Sequence, residues 1–598
     1  MTISGAAKTV DPREMAALDV LAVASFAALF AGLALVTIAA FRRFVLHQLT
    51  FNSLDIAWMA PLGTLAVFLI PAVPIAIAAA LAPRLIRPRL VFGLFGFLAL
   101  LSILLLFRLR TAASLLLALG AAWQLAVSAA RRSGAVLRRL RLGASAMAGV
   151  TALLAALVLL VLPAVARRHS PSTAPPGAPN VLLLLLDTVR AEELGMYGYP
   201  KPTSPRIDDI AARGVVFDRA IAPSSWTLAS HASMFTGRRP GELSARWWTP
   251  LDRAYPTVAE VLRDHGYRTA GFAANFAYTG VESGLSRGFQ HYEDLVRTWR
   301  QVVWSSALAQ VPLVRSLASA RTGDSVWAAL RRHELRIAGR ARSRDHKTAA
   351  RATGDLLRWL ERQERGPFFA FINFFDAHEL SEPLEPAFDT FGRGERARYD
   401  GFLARIDQAI GDLIDTLGQR GVLDNTIVII TSDHGELFGE HGIKGHGNGL
   451  HMPALWVPLI VVHPRHVPAG IRVAHPVALQ DLAATFVDLA GLPPGALPGT
   501  PLSRYWRAGH DSSPARAVYS EVERFKDPES PGPAASGPMR SLIDADWHYI
   551  LHSDGRNELF DWRRDSDELH NLAASGRQPP PNLTRLSGMA RAITSRYR

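Results

Sequence analysis

Residues 180–190 read NVLLLLLDTVR: an asparagine, six apolar side chains in succession, then an acid. An apolar run this short, stopped by a charge, predicts a strand buried on both faces. The same pattern recurs outward along the chain, at Thr269–Ala274, Phe368–Phe375, Thr426–Thr431 and Pro458–Val462. Helical patterns lie between the runs, at Pro205–Arg213, Thr257–His265, Thr348–Gln363 and Tyr399–Arg420. Buried strands alternating with helices predict an α/β domain, with a mostly parallel sheet covered on both faces. Ligands of such sheets collect beyond the carboxyl ends of the strands. Asp187 and the triplet Ser432-Asp433-His434 each follow a strand directly, so both are candidate site residues. Further on, Ser541–Leu551 and Glu558–Trp562 alternate around Asp554-Gly555. That predicts a hairpin and a small antiparallel C-terminal subdomain.

The N-terminal third obeys a different rule. Ala17–Phe41, Ile56–Leu81, Leu90–Phe107, Ala112–Ala130 and Ala144–Ala166 are apolar runs. Each reaches about 18 residues or more, the length that crosses ~30 Å of hydrocarbon as a helix. Pro61, Pro71 and Pro74 sit in the second run, which membrane helices tolerate. Charge follows the same division. The chain carries a net +13, and residues 1–170 hold 16 Lys and Arg against 4 Asp and Glu. The basicity therefore belongs to the apolar third and calls for a bilayer rather than a nucleic acid. No Gly-rich nucleotide loop or base-reading motif occurs, so neither ATP nor DNA is expected. The chain has no cysteine, which excludes disulfides, Cys-zinc sites and a cysteine nucleophile.

With the N-terminus in the cytoplasm, ten basic residues fall in inside segments and six in outside ones. Five crossings then place the chain after residue 168 on the extracytoplasmic side of a cell or inner membrane. The expected organisation is a five-helix transmembrane bundle over 1–168 and a Pro/Ser linker over 169–180. A catalytic α/β domain follows over 181–510, with a Trp- and Arg-rich helical insertion near 297–344. Residues 511–598 form the small antiparallel subdomain and tail.

Four polar stretches could carry chemistry: Asp187, SSWTLASHASMFTG over 224–237, FINFFDAH over 371–378, and TSDHGELFGEHGIKGHG over 431–447. The last packs Asp433, His434, His441, Lys444 and His446 among glycines, as a metal or phosphate site would. Asp187, Asp433 and His434 supply two carboxylates and an imidazole, and a hydroxyl would complete a tetrahedral shell. Mixed oxygen and imidazole donors suit zinc or manganese better than magnesium.

These stretches, with VPLIVV, LQDLAATFVDLAGLP and NELFDWRRDSDELHNLA, occur in an order that resembles the sulfatase family of the alkaline phosphatase superfamily. The resemblance runs from about Asn180 to Leu572. It implies an alkaline-phosphatase-like three-layer α/β/α fold and a divalent metal held by Asp187, Asp433, His434 and Thr227. Calcium, the metal of formylglycine sulfatases, is the further alternative to zinc and manganese. Thr227 falls where sulfatases carry the Cys or Ser that becomes formylglycine. His378 and His446 match positions that contact the substrate's charged oxygens, as does Lys444, and His231 stands in place of an arginine. Threonine at 227, Thr188 in place of a second acid and His434 in place of an asparagine depart from formylglycine enzymes. They resemble the threonine-nucleophile branch, with phosphoethanolamine transferases and lipoteichoic acid synthases, which also carry five membrane helices. The expectation is a membrane-anchored ester hydrolase or phosphotransferase with Thr227, His378 and His446 as catalytic residues. Its substrate would be an anionic ester linked to a lipid or glycan. A sulfatase working without formylglycine and an inactive scaffold of the same fold are the alternatives.

Overall fold

The computed structural model describes residues 15–107, 109–167, 174–309, 347–362, 366–378, 380, 384–507, 516–524, 532–574 and 584–590. The chain forms two compact units, one of Met1–Ala164 with Val296–Asp345, the other of Val165–Leu295 with His346–Arg598.

The first unit is helical. Ala17–Phe44, Ile56–Leu81, Ala112–Ala130 and Ser133–Ala166 are long and apolar enough to cross a membrane. The third apolar run forms a helix of 17 residues, Pro88–Leu104. Gly32 brings the first two helices together, since a Cβ there would lie 2.4 Å from Pro61 Cα. Asp19, an acid inside the first helix, pairs with Arg141 on the helix Ser133–Ala166. The described part of the Trp/Arg-rich segment belongs to this unit. Its helix Trp299–Trp304 packs on Ile56–Leu81, where a Cβ on Gly63 would meet Val302 O at 1.9 Å. Arg297 Nε meets Asp55 Oδ2 at 3.0 Å. Trp327 and the arginines from 331 to 344 lie outside the described residues.

The second unit is built on an eight-stranded sheet. Its order is Ile471–Val473, Val215–Phe217, Leu459–Val462, Thr426–Ser432, Asn180–Leu186, Phe368–Phe374, Arg268–Ala273, His291–Glu293. The five strands from Thr426–Ser432 to His291–Glu293 are mutually parallel. Leu459–Val462 runs antiparallel to both of its neighbours.

Successive strand residues face opposite sides of the sheet, so an all-apolar strand builds two cores. Leu182, Leu184 and Leu186 share a core with Ile207, Ile210, Leu356, Trp359, Leu403, Ile406 and Ile410 from three helices. On the other face Phe371 meets Phe235 at 5.2 Å between ring centroids, and Phe369 meets Phe486 at 5.6 Å. The latter rings come from the helices Thr227–Thr236 and Leu482–Leu489. Helices on both faces of one sheet make three layers. A four-stranded antiparallel sheet of Val518–Val522, Met539–Ile543, His548–Leu551 and Asn557–Phe560 follows. The stretch expected as one strand from Ser541 to Leu551 is two strands. Asp544 Oδ1 accepts the N–H groups of Asp546 and Trp547 and turns the chain between them.

Candidate active site

Strand register brings the acids together. Leu186 pairs with Ser432 in the parallel ladder, so the next residues, Asp187 and Asp433, leave adjacent strand ends side by side. Both are fully buried. Thr188 then turns the chain with a left-handed φ of 63°, an uncommon state for a β-branched residue. The turn is held by Thr188 N–H donating to Asp433 Oδ1 at 3.3 Å and by Tyr399 OH donating to Thr188 O at 2.8 Å.

Thr227 is the first residue of the helix Thr227–Thr236 and is 1% exposed. Its Oγ1 lies 3.1 Å from His434 Nε2. The His434 Nδ1–H donates to Gly435 O at 2.9 Å, which leaves the Nε2 lone pair toward Thr227. The N-terminal turn of a helix favours negative charge, so an alkoxide or oxyanion at Thr227 is electrostatically supported there. The neighbouring hydroxyls are structural. Ser225 Oγ donates to Gly449 O at 2.8 Å, and Ser230 Oγ to Asp433 O at 2.7 Å. The latter bond ties the helix Thr227–Thr236 to the acid loop.

Asp187, Asp433 and His434 offer ligand atoms that all lie within 4.8 Å of one another. Asn275 Nδ2 at 2.9 Å and Asn373 Nδ2 at 3.3 Å donate to Asp187 Oδ2. Among the described residues, Asp187 Oδ1 and Asp433 Oδ2 are buried without a hydrogen-bond partner. Burial first, and the Asp433 charge second, push the Asp187 carboxyl well above its ordinary range. Burial also opposes ionisation of Asp433, but the His434 and His231 imidazoles hold its carboxyl well below the usual range. Two buried acids with an oxygen each to spare, next to an imidazole lone pair, fit a divalent cation by donor chemistry.

His446 and His378 gather beside this set. The His446 ring centroid lies 4.5 Å from that of His434, 4.9 Å from His378 and 5.6 Å from Trp226. His378 stacks on Phe375 at 4.3 Å. His231 is buried beneath, its Nδ1 2.8 Å from Thr227 O and 3.4 Å from Asp433 Oδ2. Lys444 is two-thirds exposed and its Nζ meets Glu395 at 3.1 Å. His441 stacks at 3.7 Å on His451, which meets Glu558 at 3.2 Å. Asp376, the acid of FINFFDAH, meets Arg405 at 2.7 Å and accepts the Ala349 N–H, so it serves the fold. Sequence reasoning missed Asn275, Asn373 and Glu436. Asn275 and Asn373 sit at strand ends as Asp187 does, which was the available signal. Glu436 Oε2 lies 3.0 Å from His446 Nδ1. Burial pushes its carboxyl up to about 7, against the pull of His378 and His434.

The sulfatase family model matches residues 179–492, just over half the chain and the whole of this site. This chain belongs to the sulfatase family. Arylsulfatase K of Bos taurus is 28% identical over 459 residues, covering 68% of this chain and 81% of that protein. Arylsulfatase A of Homo sapiens is 28% identical over 372 residues, covering 56% of this chain and 67% of that protein. The solved phosphonate monoester hydrolase of Agrobacterium radiobacter shares the fold, with a TM-score of 0.52 and 23% identity. It covers 70% of this chain and 95% of that one. The sulfatase fold and the ester-hydrolase class come to the chain with the family. An anionic ester is the substrate class, and a divalent metal is the family's cofactor, for which the buried acid–histidine set is the candidate site.

Proposed function

We propose that this sulfatase-family enzyme is a membrane-anchored hydrolase or transferase of phosphate esters on envelope lipids or glycans, with Thr227 as nucleophile. One observation carries the reading: Thr227 Oγ1 stands 3.1 Å from His434 Nε2, at a helix N-terminus, beside two buried acids. A hydroxyl is protonated at neutral pH and attacks slowly. Asp187, Asp433, His434 and Thr227 would hold a divalent cation, zinc or manganese by donor type. When bound, such a cation stabilises the deprotonated form of an attached oxygen. Thr227 Oγ, its proton released to water, attacks phosphorus in line, forming the Oγ–P bond as the ester P–O bond breaks. The bonding pair leaves on the ester oxygen, which takes a proton from His378 or His446. The same histidines donate to the equatorial oxygens. Water, or an acceptor hydroxyl, then attacks the phospho-threonine and restores Thr227.

The four long helices and the 17-residue fifth support five crossings, since 17 residues rise about 26 Å as a helix. With the basic residues weighted to the N-terminal side, the catalytic domain lies outside the cytoplasm. A second reading, sulfate ester hydrolysis without formylglycine, draws support from the arylsulfatase relatives. Both readings use the same nucleophile. Thr227→Ala is expected to lower kcat on the order of 10³-fold or more, with metal largely retained by Asp187, Asp433 and His434; full turnover by that variant rejects the assignment. Turnover of an aryl sulfate with none of aryl phosphate mono- or diesters would select the second reading.

A further inference from the structure

A short hairpin follows the acid–histidine pair. Leu437 pairs with Gly445 and Phe438 with Lys444. The next pair outward in this antiparallel register is Glu436 opposite His446, and cross-strand neighbours touch. Glu436 Oε2 lies 3.0 Å from His446 Nδ1, and the two side chains are only 13% and 12% exposed. The backbone beneath is pinned as well. Arg190, 2% exposed, donates from Nη1 to Glu436 O at 3.2 Å and to Glu440 Oε1 at 2.8 Å. A buried carboxylate in a site for anionic esters is unfavourable twice, through lost hydration and through repulsion of the substrate. It is tolerated where a cationic or N–H partner satisfies it, and His446 is that partner. A carboxylate accepts hydrogen bonds, so contact with Glu436 favours a proton on Nδ1 and leaves Nε2 as the nitrogen that carries or gives up a proton toward the ester.

We propose that Glu436 is a positioning residue, whose carboxylate clamps the His446 ring and its Nδ1–H tautomer so that Nε2 is presented to the ester beside Thr227. The inference rests on the active-site reading above and adds to it the group that makes His446 a directed acid or base.

The test uses the full-length chain in detergent, with whichever of an aryl phosphate monoester, aryl phosphate diester or aryl sulfate it turns over. Glu436→Ala lowers kcat about 10- to 100-fold, the usual cost of removing the carboxylate behind a working histidine, while KM changes little. Glu436→Gln keeps an acceptor for Nδ1–H and recovers most of that loss. In a His446→Ala background, replacing Glu436 costs nothing further, because residues acting as one unit are non-additive. An unchanged kcat in Glu436→Ala overturns the proposal. So does an equal loss in the Ala and Gln variants, or the same fold-loss with and without His446. Should the Ala variant not fold, Glu436→Gln alone decides, since a loss as large as that of His446→Ala refutes it. Thr227→Ala is run in parallel. Surviving turnover there removes the nucleophile assignment but leaves the Glu436–His446 coupling to be read separately.

Discussion

The two acids at the strand ends oppose each other's ionisation. Asp187 and Asp433 are both fully buried, and each keeps one oxygen without a hydrogen bond. Burial and the Asp433 charge raise the Asp187 carboxyl. An acid raised by folding contributes stability at pH below its ordinary value of 3.8. That contribution is lost as pH rises through the shifted value. In the chelated protein stability therefore falls as pH rises above 3.8. Asp187→Asn removes the charge with little change of shape. It is expected to raise the melting temperature of chelator-treated protein. It is also expected to abolish the rise that zinc or manganese gives the wild type, about 2.7 kcal/mol at a hundredfold excess over Kd. Calorimetry with and without chelator reads both effects. A variant that melts lower than wild type in chelator, yet gains as much from metal, would show that Asp187 is a structural acid.

Elements hold the site through a few tight approaches. Gly447 has φ +75°, and a Cβ there would lie 2.5 Å from Trp247 Cη2 and 2.8 Å from Trp226 Cε3. Trp226 precedes Thr227 and packs at 3.5 Å on Trp247. Gly447→Ala adds both overlap and left-handed strain, each of order 1–2 kcal/mol. Expected are a melting point lower by several degrees and a larger fractional loss of kcat than of stability, because the displaced ring adjoins Thr227. Thermal melts and steady-state rates check this; a variant with lowered stability and wild-type kcat would separate the aromatic stack from the site. Four of the five parallel strands were legible in the sequence, because each is a short apolar run between helical patterns; the fifth, His291–Glu293, has no such run and was not. The antiparallel course of Leu459–Val462 was not, since such a run contains no mark of direction. Asp187, Asp433 and His434 were legible because strand ends collect ligands. Glu436 was not, because strands of two residues leave no periodic pattern from which its pairing with His446 could be read. The turn at Asp544–Trp547 was marked by an acid that accepts two N–H groups ahead of it, a local device hidden inside an alternating run.

At the scale of the whole chain, the helical unit is sewn into the catalytic unit by an excursion, not only by the segment at 165. The chain leaves the second unit after Leu295 and returns at His346. Within the first unit, Trp299–Trp304 lies against Ile56–Leu81, and Val302 is 5% exposed. Removing residues 1–164 alone takes away the surface that covers this helix and leaves an apolar flap on the remaining chain. Exposed apolar surface of that kind drives association. The two ends of the excursion are close, because Lys347 Nζ donates to Glu293 O at 2.8 Å and meets Asp355 at 3.2 Å. A short Gly/Ser bridge can therefore join Leu295 to the segment that begins at Lys347 without moving the sheet. The chain lacking 1–164 is expected to aggregate without detergent. The chain lacking both 1–164 and 296–345 is expected to run as a single sharp species in size-exclusion chromatography. Its net charge also falls, since most of the excess Lys and Arg resides in the first 170 residues. Monodisperse behaviour of the first variant, with the excursion intact, would mean that the helix Trp299–Trp304 needs no partner from the helical unit.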